Sequence, residues 1–520
     1  MRGSLSGKKV IIIGAGLSGS LASIYLARRG CEVEIFERRP DMRGHQLTGA
    51  RSINMTLAAR GLAALKQVMD LDLIFDVTIP LKGRVVHNLD GSTKFIPYGT
   101  RENEVIYAIK RKDLNRVLMD VAESTHNVKI HFDERCSEMD KTNGRIHLVN
   151  EKTGAHQFRQ ADFIIGADGT FSTVRQQMHR GERANYQQEF LDCGYKEITL
   201  PPGPNKTYQL DQHVLHVWPR GGCMLMGIPN LDSSFALTCI MPFSGRPGFD
   251  SLTTEAEVMA YFNSQFRDVV PLIGPFASGF LSAQPAMFPT TKVAPWHYRG
   301  QVLLIGDACH TVTPFYGQGM NAAFEDCAVL DECLDQNGDD FEAAFSSFQA
   351  LRKRNTDALA DLSVQNFLEL RDKVRSPMLL ARKQLDSVLH KLLGDSWMPL
   401  YTLIAHTNIP YADALDQYKR QCRRGQLMGL DVALGTLAGC IYGEKVIRSF
   451  FRGADQVDDL PVIQPLPNGQ EDHPLADVEE LKSRAAEAAR VDQLPRPNGA
   501  GNDQLAAVKE FKSAVGMRRK

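Results

Sequence analysis

The sequence predicts an α/β fold: a parallel βαβ-type domain into which an antiparallel sheet is inserted, followed by a C-terminal helical region. Three observations predict it. The strand KKVIIIG runs through Gly14-Ala15-Gly16-Leu17-Ser18-Gly19 into a helix over Ser18–Arg29 and then a second strand, CEVEIFE, ending at Glu37. Residues 186–296 are rich in short apolar strands, EFLDCGYKEITL, HVLHVWP, CMLMGIP and FALTCIMPF. From about 339 to 452 the apolar spacing is helical throughout.

The N-terminal unit carries the spacing of a Rossmann-like dinucleotide site. In a G-x-G-x-x-G turn the first glycine makes the bend, the second lets backbone approach a pyrophosphate, and the third lets helix pack on strand. Glu37 follows Gly14 by 23 residues and is placed to accept hydrogen bonds from an adenosine ribose. A lone glycine motif is weak; strand, helix, second strand and acid in this order make it specific.

A matching half lies nearly 300 residues downstream, in GDACHTVTPFYGQGMNAAFEDC at 306–327. A strand over Gln301–Ile305 enters Gly306-Asp307, a Pro/Gly loop follows, and a helix opens at Gly317–Asn321. An acid at a strand end can grip a polyol hydroxyl, and a helix N-terminus stabilises negative charge. A flavin needs both, one for its ribityl chain and one beside N1–C2=O, where charge appears on reduction. Between the halves, the strand Phe163–Ala167 enters Asp168-Gly169 and another helix, which brings a further backbone turn toward the phosphates. Gly317-Gln318-Gly319-Met320-Asn321-Ala322 fits the loose glycine pattern without a surrounding βαβ unit, so there is one complete dinucleotide site, not two.

The 520 residues suffice for two or three domains with a large core. A net charge of −1 and no basic stripe argue against a nucleic-acid partner. The ten cysteines include no CxxC pair, which disfavours zinc and fits a reducing compartment. His310 reads as loop scaffolding, and no metal site is expected. The N-terminus MRGSLSGKK is too short and polar to be a secretion signal.

In chain order, a helix is expected over Leu57–Met69, a hairpin over 81–98 and an amphipathic helix in RKDLNRVLMDVAE with Leu114, Val117, Leu118 and Val121 on one face. The domain division is then 1–80, 100–185 and 297–340 for the nucleotide domain, 81–99 and 186–296 for a substrate domain, and 341–426 for the helical region. Beyond 453 the composition turns to Pro, Asp, Gly and Gln, expected to be a mostly disordered tail over 453–520. The segment Leu427–Gly443 is apolar with one charge, Asp431, and glycines at 435, 439 and 443. It is just under a full membrane span and reads equally as a packed helix, so 427–451 is a candidate membrane-associated helix.

The order GxGxxG, DG, GD resembles the class A flavoprotein aromatic hydroxylases. Further blocks narrow the resemblance to their kynurenine-hydroxylating branch: ArgSerIleAsn (51–54), ProTyrGly (97–99), Tyr107 to Arg111, HisValTrpProArg (216–220), Pro314 to Asn321 and AsnPheLeuGluLeuArg (366–371). It runs from about Lys8 to about Tyr418. Tyr316 and Thr56 depart from the usual residues, which leaves the pocket shape open.

The resemblance implies that Arg84, Tyr98, Asn366 and Tyr401 hold the amino-acid end of L-kynurenine. Chemically this is sound, since Arg84 can fork onto a carboxylate and Tyr98 can donate to it. The substrate ring would lie against LHVWP, CMLMGIP and the loop at Phe315. The implied FAD-binding set is Gly14, Gly16, Leu17, Ser18, Gly19, Glu37, Arg38, Thr56, Arg111, Cys136, Asp168, Gly169, Asp307, Gly317, Gly319, Met320 and Asn321. The implied reaction consumes NADPH and O2, passes through a flavin C4a-hydroperoxide and yields 3-hydroxykynurenine, with no acid–base pair from the protein. It would serve tryptophan degradation toward quinolinate and NAD, at the mitochondrial outer membrane facing the cytosol. Two other readings remain at this stage: a hydroxylase of another anthranilate-like or phenolic amino-acid derivative, and a flavin-binding membrane scaffold without turnover.

Overall fold

The computed structural model describes residues 5–44, 54–99, 101, 104–369 and 377–427. They belong to one compact unit, Met1–Gly453. The expected tail over 453–520 and all but the first residue of 427–451 lie outside the described residues, as do the ArgSerIle of the 51–54 block.

A six-stranded sheet forms the nucleotide half, in the order His297–Tyr298, Val302–Leu304, Phe163–Gly166, Lys9–Ile13, Glu32–Phe36, Val128–His131. Every neighbouring pair is parallel except the first. Its central strands are largely apolar, with Ile11, Ile12, Ile35, Phe163, Ile164, Ile165 and Leu303 at 1% exposure or less, as expected of a parallel sheet covered on both faces, and Cys136, Ile146 and Leu148 of a small antiparallel sheet join its core. Parallel strands end on the same edge. That places Gly14, Glu37, Asp168 and Asp307, scattered over almost 300 residues of chain, at adjacent carboxyl ends, the crevice where α/β sheets bind ligands. The backbone ties Gly14 N–H to Phe36 C=O, Ala167 N–H to Ile13 C=O and Ile305 N–H to Gly166 C=O lock these ends together.

A seven-stranded sheet stands beside it, ordered Ala286–Ala294, Asn185–Leu200, Phe235–Pro242, Met224–Pro229, Val214–Pro219, Gly83–His87, Thr93–Pro97. The expected hairpin joins it through Gly83–His87, which runs parallel to Val214–Pro219 with Arg84 opposite Leu215. Its rear face packs on Phe262, Phe266 and Phe280 from the helical insert, with Trp218 fully buried between.

Two smaller antiparallel sheets were not anticipated: Glu134–Asp140, Arg145–Asn150 and His156–Gln160, and Asn54–Leu57, Ile106–Lys110 and Thr78–Leu81. The second corrects the helix expected over Leu57–Met69. Asn54–Leu57 is a strand and the helix covers Ala59–Lys66. The Asn321 amide accepts from Ala58 N–H at 2.8 Å and donates to Thr56 C=O at 2.9 Å, holding this backbone extended up to Ala58.

The C-terminal region is helical, with Phe341–Leu368, Pro377–Leu393, Leu400–Ala405 and Tyr411–Leu427. Among the described residues no helix is long and apolar enough to cross a membrane.

Candidate active site

At the sheet edge the three glycines of the first turn do three different jobs. Gly14 has φ +104°, and a Cβ there would lie 2.6 Å from Ala167 C=O. A Cβ on Gly19 would collide with Gly14 C=O. A Cβ on Gly16 would meet nothing within 4 Å, because Gly16 faces the open groove. The helix Leu17–Ala27 starts there with no side chain capping it, so its leading N–H groups are available to an anion. Leu17 is buried, and Ser18 packs against Gly306, joining the first motif to the last.

Glu37 accepts from Ala15 N–H and from Arg39 N–H, both at 3.0 Å, which fixes its carboxylate at the groove; Arg38 is exposed beside it. Asp168 works as a helix cap, accepting from Thr173 N–H at 2.7 Å and Val174 N–H at 3.1 Å. Its contribution to the groove is therefore backbone, and Gly169, at φ +84°, faces open space. Cys136 lies near Asp168; burial, with the Asp168 charge acting the same way, pushes its thiol up to about 12.

The second half of the site turns on a buried ionic cluster. Asp326 accepts from Gly306 N–H at 3.0 Å, lies 2.6 Å from His310 Nε2 and accepts from Arg352 Nε at 2.7 Å. Burial alone would raise this carboxyl, but His310 and Arg352 hold it below its usual value. His310 thus braces the Gly306-Asp307 turn, as the sequence suggested. Cys309, His310 and Asp326 bring possible ligand atoms within 4.8 Å, yet the carboxylate is occupied by these partners and a guanidinium sits beside it. Burial pushes the Asp307 carboxyl up, against the pull of Arg111 and His310. The helix Gly319–Asn337 opens with no side-chain cap. Gly317 takes φ +65° against Thr56, whose hydroxyl donates to Gly317 C=O at 3.4 Å. The Asn321 side chain is spent on Ala58, Thr56 and Gly317, so any contact to a cofactor there falls to backbone.

Between the two large sheets lies a cavity of about 940 Å³. Thr56, Arg111, Asp307, Gly317, Gly319 and Met320 line one part, and Arg84, Tyr98, Asn366 and Tyr401 line another, so both expected residue sets share one space. Of the remaining cofactor candidates, Gly14 to Gly19, Glu37, Arg38, Asp168 and Gly169 follow strand ends of the six-stranded sheet, whereas Cys136 lies buried in Glu134–Asp140 and Asn321 buried in the helix Gly319–Asn337. Tyr98 lies one residue past its strand and stacks on Tyr401 at 5.2 Å between ring centroids. Tyr316 stacks on Tyr401 at 6.2 Å. Burial pushes the Tyr98 hydroxyl up to about 12 and the Tyr316 and Tyr401 hydroxyls further, while Arg84 pulls each of them down. All three therefore stay protonated donors at neutral pH. Arg84 Nε is buried with no hydrogen-bond partner, an open demand for an anion. Asn366 donates to Phe315 C=O at 2.8 Å and pins the helix Phe341–Leu368 to that loop.

The wall opposite comes from alternate residues of the seven-stranded sheet: Leu215 and Val217, Met224 and Met226, Thr238 and Ile240. In the HisValTrpProArg block, His216 and Trp218 face the other way, onto Asp268 and His87. Sequence reasoning named the strands but not these residues; strict alternation from Leu215 would have found them. It also passed over Tyr195, Phe288 and Glu369, all on the cavity wall. Glu369 had a signal, lying one helical turn after Asn366.

A flavin dinucleotide suits this donor set. The open Gly16 and Gly169 cradle with the uncapped helix at Leu17 could take a pyrophosphate, the uncapped helix at Gly319 a flavin pyrimidine edge, and the enclosed Asp307 carboxyl a ribityl chain. Residues 8–337 match the model of the FAD binding domain family. Curated relatives include kynurenine 3-monooxygenases from Salinispora arenicola (strain CNS-205), 44% identical over 83% of this chain and 95% of the relative, and from Dictyostelium discoideum, 36% identical over 79% and 90%. The enzyme of the same name from Anopheles gambiae is 35% identical over 78% of this chain and 83% of the relative. Among solved structures, the tetrameric form of 2-methyl-3-hydroxypyridine-5-carboxylic acid oxygenase shares the fold, with a TM-score of 0.59 at 21% identity over 75% of this chain and 98% of that one.

Proposed function

The chain belongs to the kynurenine 3-monooxygenase family of FAD-dependent aromatic hydroxylases, and from that premise we propose that Arg84, Tyr98, Asn366 and Tyr401 clamp the amino-acid end of L-kynurenine while the aniline ring lies along the sheet wall. The activity of the family is hydroxylation of L-kynurenine to 3-hydroxykynurenine with O2 and a reduced nicotinamide dinucleotide, here taken to be NADPH. The observation that carries the site reading is the buried, unpartnered Arg84 Nε in a cavity that Asp307 and the uncapped helix N-terminus at Gly319 also line.

Bound FAD supplies the redox and oxygen chemistry. Gly14, Gly16, Gly169 and the helix at Leu17 would receive its pyrophosphate, Glu37 its adenosine ribose and Asp307 its ribityl chain. The uncapped N-terminus at Gly319 would stabilise the charge that develops on the flavin on reduction. The protein's remaining task is placement. Arg84 forks onto the substrate carboxylate, Tyr98 and Tyr401 donate beside it, and this anchoring fixes how far the ring reaches toward the flavin. The apolar wall excludes water and leaves the aniline nitrogen to activate the ring carbon beside it.

The expected test outcome is NADPH oxidation stimulated by L-kynurenine over other anthranilate-like or phenolic amino acids. Equal stimulation by another member of that group would support the alternative substrate. A yellow protein that oxidises no NADPH with any of them would support a non-catalytic flavoprotein.

Membrane association is the further part of this reading, resting on the apolar segment Leu427–Gly443 and its flanking Arg423-Arg424. A chain ending near Gln421 is expected to leave the membrane fraction and keep its FAD, since every flavin motif lies upstream. In fractionation at low salt, full-length protein found wholly in the supernatant would contradict the anchor, and with it a mitochondrial outer-membrane location.

A further inference from the structure

The reaction proposed above uses a second dinucleotide, the reduced nicotinamide that reduces the flavin, yet the chain has one complete glycine motif and FAD takes it. The 940 Å³ cavity is claimed by the flavin ring and L-kynurenine. A second cavity, of about 600 Å³, adjoins it, and Asn54 lines both. The Oδ1 of Asn54 is buried there with no hydrogen-bond partner among the described residues. A space of this size takes a small-molecule ligand.

The charges on its wall show which kind. Arg43 is spent on Asp41, Asp120 and Glu123, and Lys110 on Asp232 at 2.8 Å. Glu197 has an interaction of its own. Lys112, Asp113 and Arg116, in the opening turns of the helix Arg111–Ser124, make no ion pair or side-chain hydrogen bond among the described residues. Lys112 and Arg116 stand one helical turn apart, at i and i+4. Two uncommitted cations answer a dianion. A phosphate monoester such as the 2′-phosphate of NADPH carries about −1.5 to −2 at neutral pH. The pyrophosphate, which NADH shares, carries a single charge on each phosphorus. Met42, Ile198 and Ala236 add apolar surface for an adenine, and Asp113 an acceptor for the ribose hydroxyl beside the phosphate. We propose that this second cavity binds the 2′-phosphoadenosine end of NADPH through Lys112 and Arg116, and so selects NADPH over NADH.

This rests on the hydroxylase reading, and two measurements on the FAD-loaded full-length protein keep the two apart. The first is steady-state kinetics with saturating L-kynurenine. The wild type is expected to favour NADPH. Replacing both Lys112 and Arg116 by alanine should raise the KM for NADPH roughly 5- to 30-fold, the range for two partly solvated ion pairs. The KM for NADH should stay within about threefold. Lys112→Arg combined with Arg116→Lys should keep the preference, since both charges remain. FAD content and the affinity for L-kynurenine should not move. Equal changes for both nucleotides, or none, would overturn the proposal, as would a wild type indifferent to the 2′-phosphate. The second measurement needs no turnover. Calorimetry should show adenosine 2′,5′-bisphosphate binding tighter than 5′-AMP, with the difference lost in the double alanine variant. That result would stand even if no kynurenine-like compound stimulated oxidation, which would sink the hydroxylase reading alone. Equal binding of the two ligands by the wild type would overturn the proposal whatever the variants do.

Discussion

Gly16→Val is expected to purify as a folded, colourless protein with little or no FAD. The backbone at Gly16 is extended, at φ −74° and ψ −178°, a conformation any residue adopts. A Cβ there meets no protein atom within 4 Å. The substitution therefore costs the fold little, while the two γ-methyls fill the space where a pyrophosphate must reach backbone N–H groups. Gly14 and Gly19 behave differently, because a Cβ at either strikes backbone; substitutions there should impair folding first. The flavin-to-protein absorbance ratio, read with a thermal melt, checks this. Stoichiometric flavin in Gly16→Val would remove the assignment of the groove.

Arg84→Ala is expected to keep its flavin and lose its substrate. The Nε of Arg84 is buried and unpartnered, and the rings around it donate hydrogen bonds but offer no counter-charge. Losing a charge-assisted pair in such a site costs on the order of 2–4 kcal/mol. At ~1.4 kcal/mol per decade this is roughly a 30- to 1000-fold weaker affinity for L-kynurenine. Titration of the flavin spectrum measures it. An unchanged affinity would refute the role of Arg84, and a loss of FAD would show that the residue supports the fold instead.

The flavin half of the site was legible in the sequence because its motifs sit at strand ends. A parallel sheet converts three distant glycine-acid turns into neighbours, so reading each turn locally was enough to bring Gly14, Asp168 and Asp307 together. Side-chain roles inside those motifs were less legible. Asp168 and Asn321 sit in recognisable turns, but their polar atoms serve Thr173, Val174, Thr56 and Ala58. For Asp168 the partners are five and six residues on, in the helix it opens, and for Asn321 they lie more than 260 residues away, where no local pattern reaches. The sheet over 134–160 escaped because ERCSEMD and HQFRQ have no apolar alternation; few residues in it are buried, Cys136, Ile146 and Leu148 among them. The helix expected over Leu57–Met69 starts two residues late because Leu57 ends a strand whose extended form is imposed by Asn321 and by pairing to Ile106–Lys110. The cavity wall was legible in outline, since strand alternation selects Leu215 and Val217 over His216 and Trp218, but its depth and its third carboxylate, Glu369, needed the packing of the C-terminal helices.

The most direct measurement is the identity of the product when the FAD-loaded protein meets L-kynurenine, NADPH and 18O-labelled O2. The expected product is 3-hydroxykynurenine carrying one labelled oxygen on the ring carbon beside the aniline nitrogen, formed in step with NADPH consumption. NADPH consumption that ends only in hydrogen peroxide, or a label at any other position of the substrate, would contradict the placement of L-kynurenine between the Arg84 clamp and the flavin.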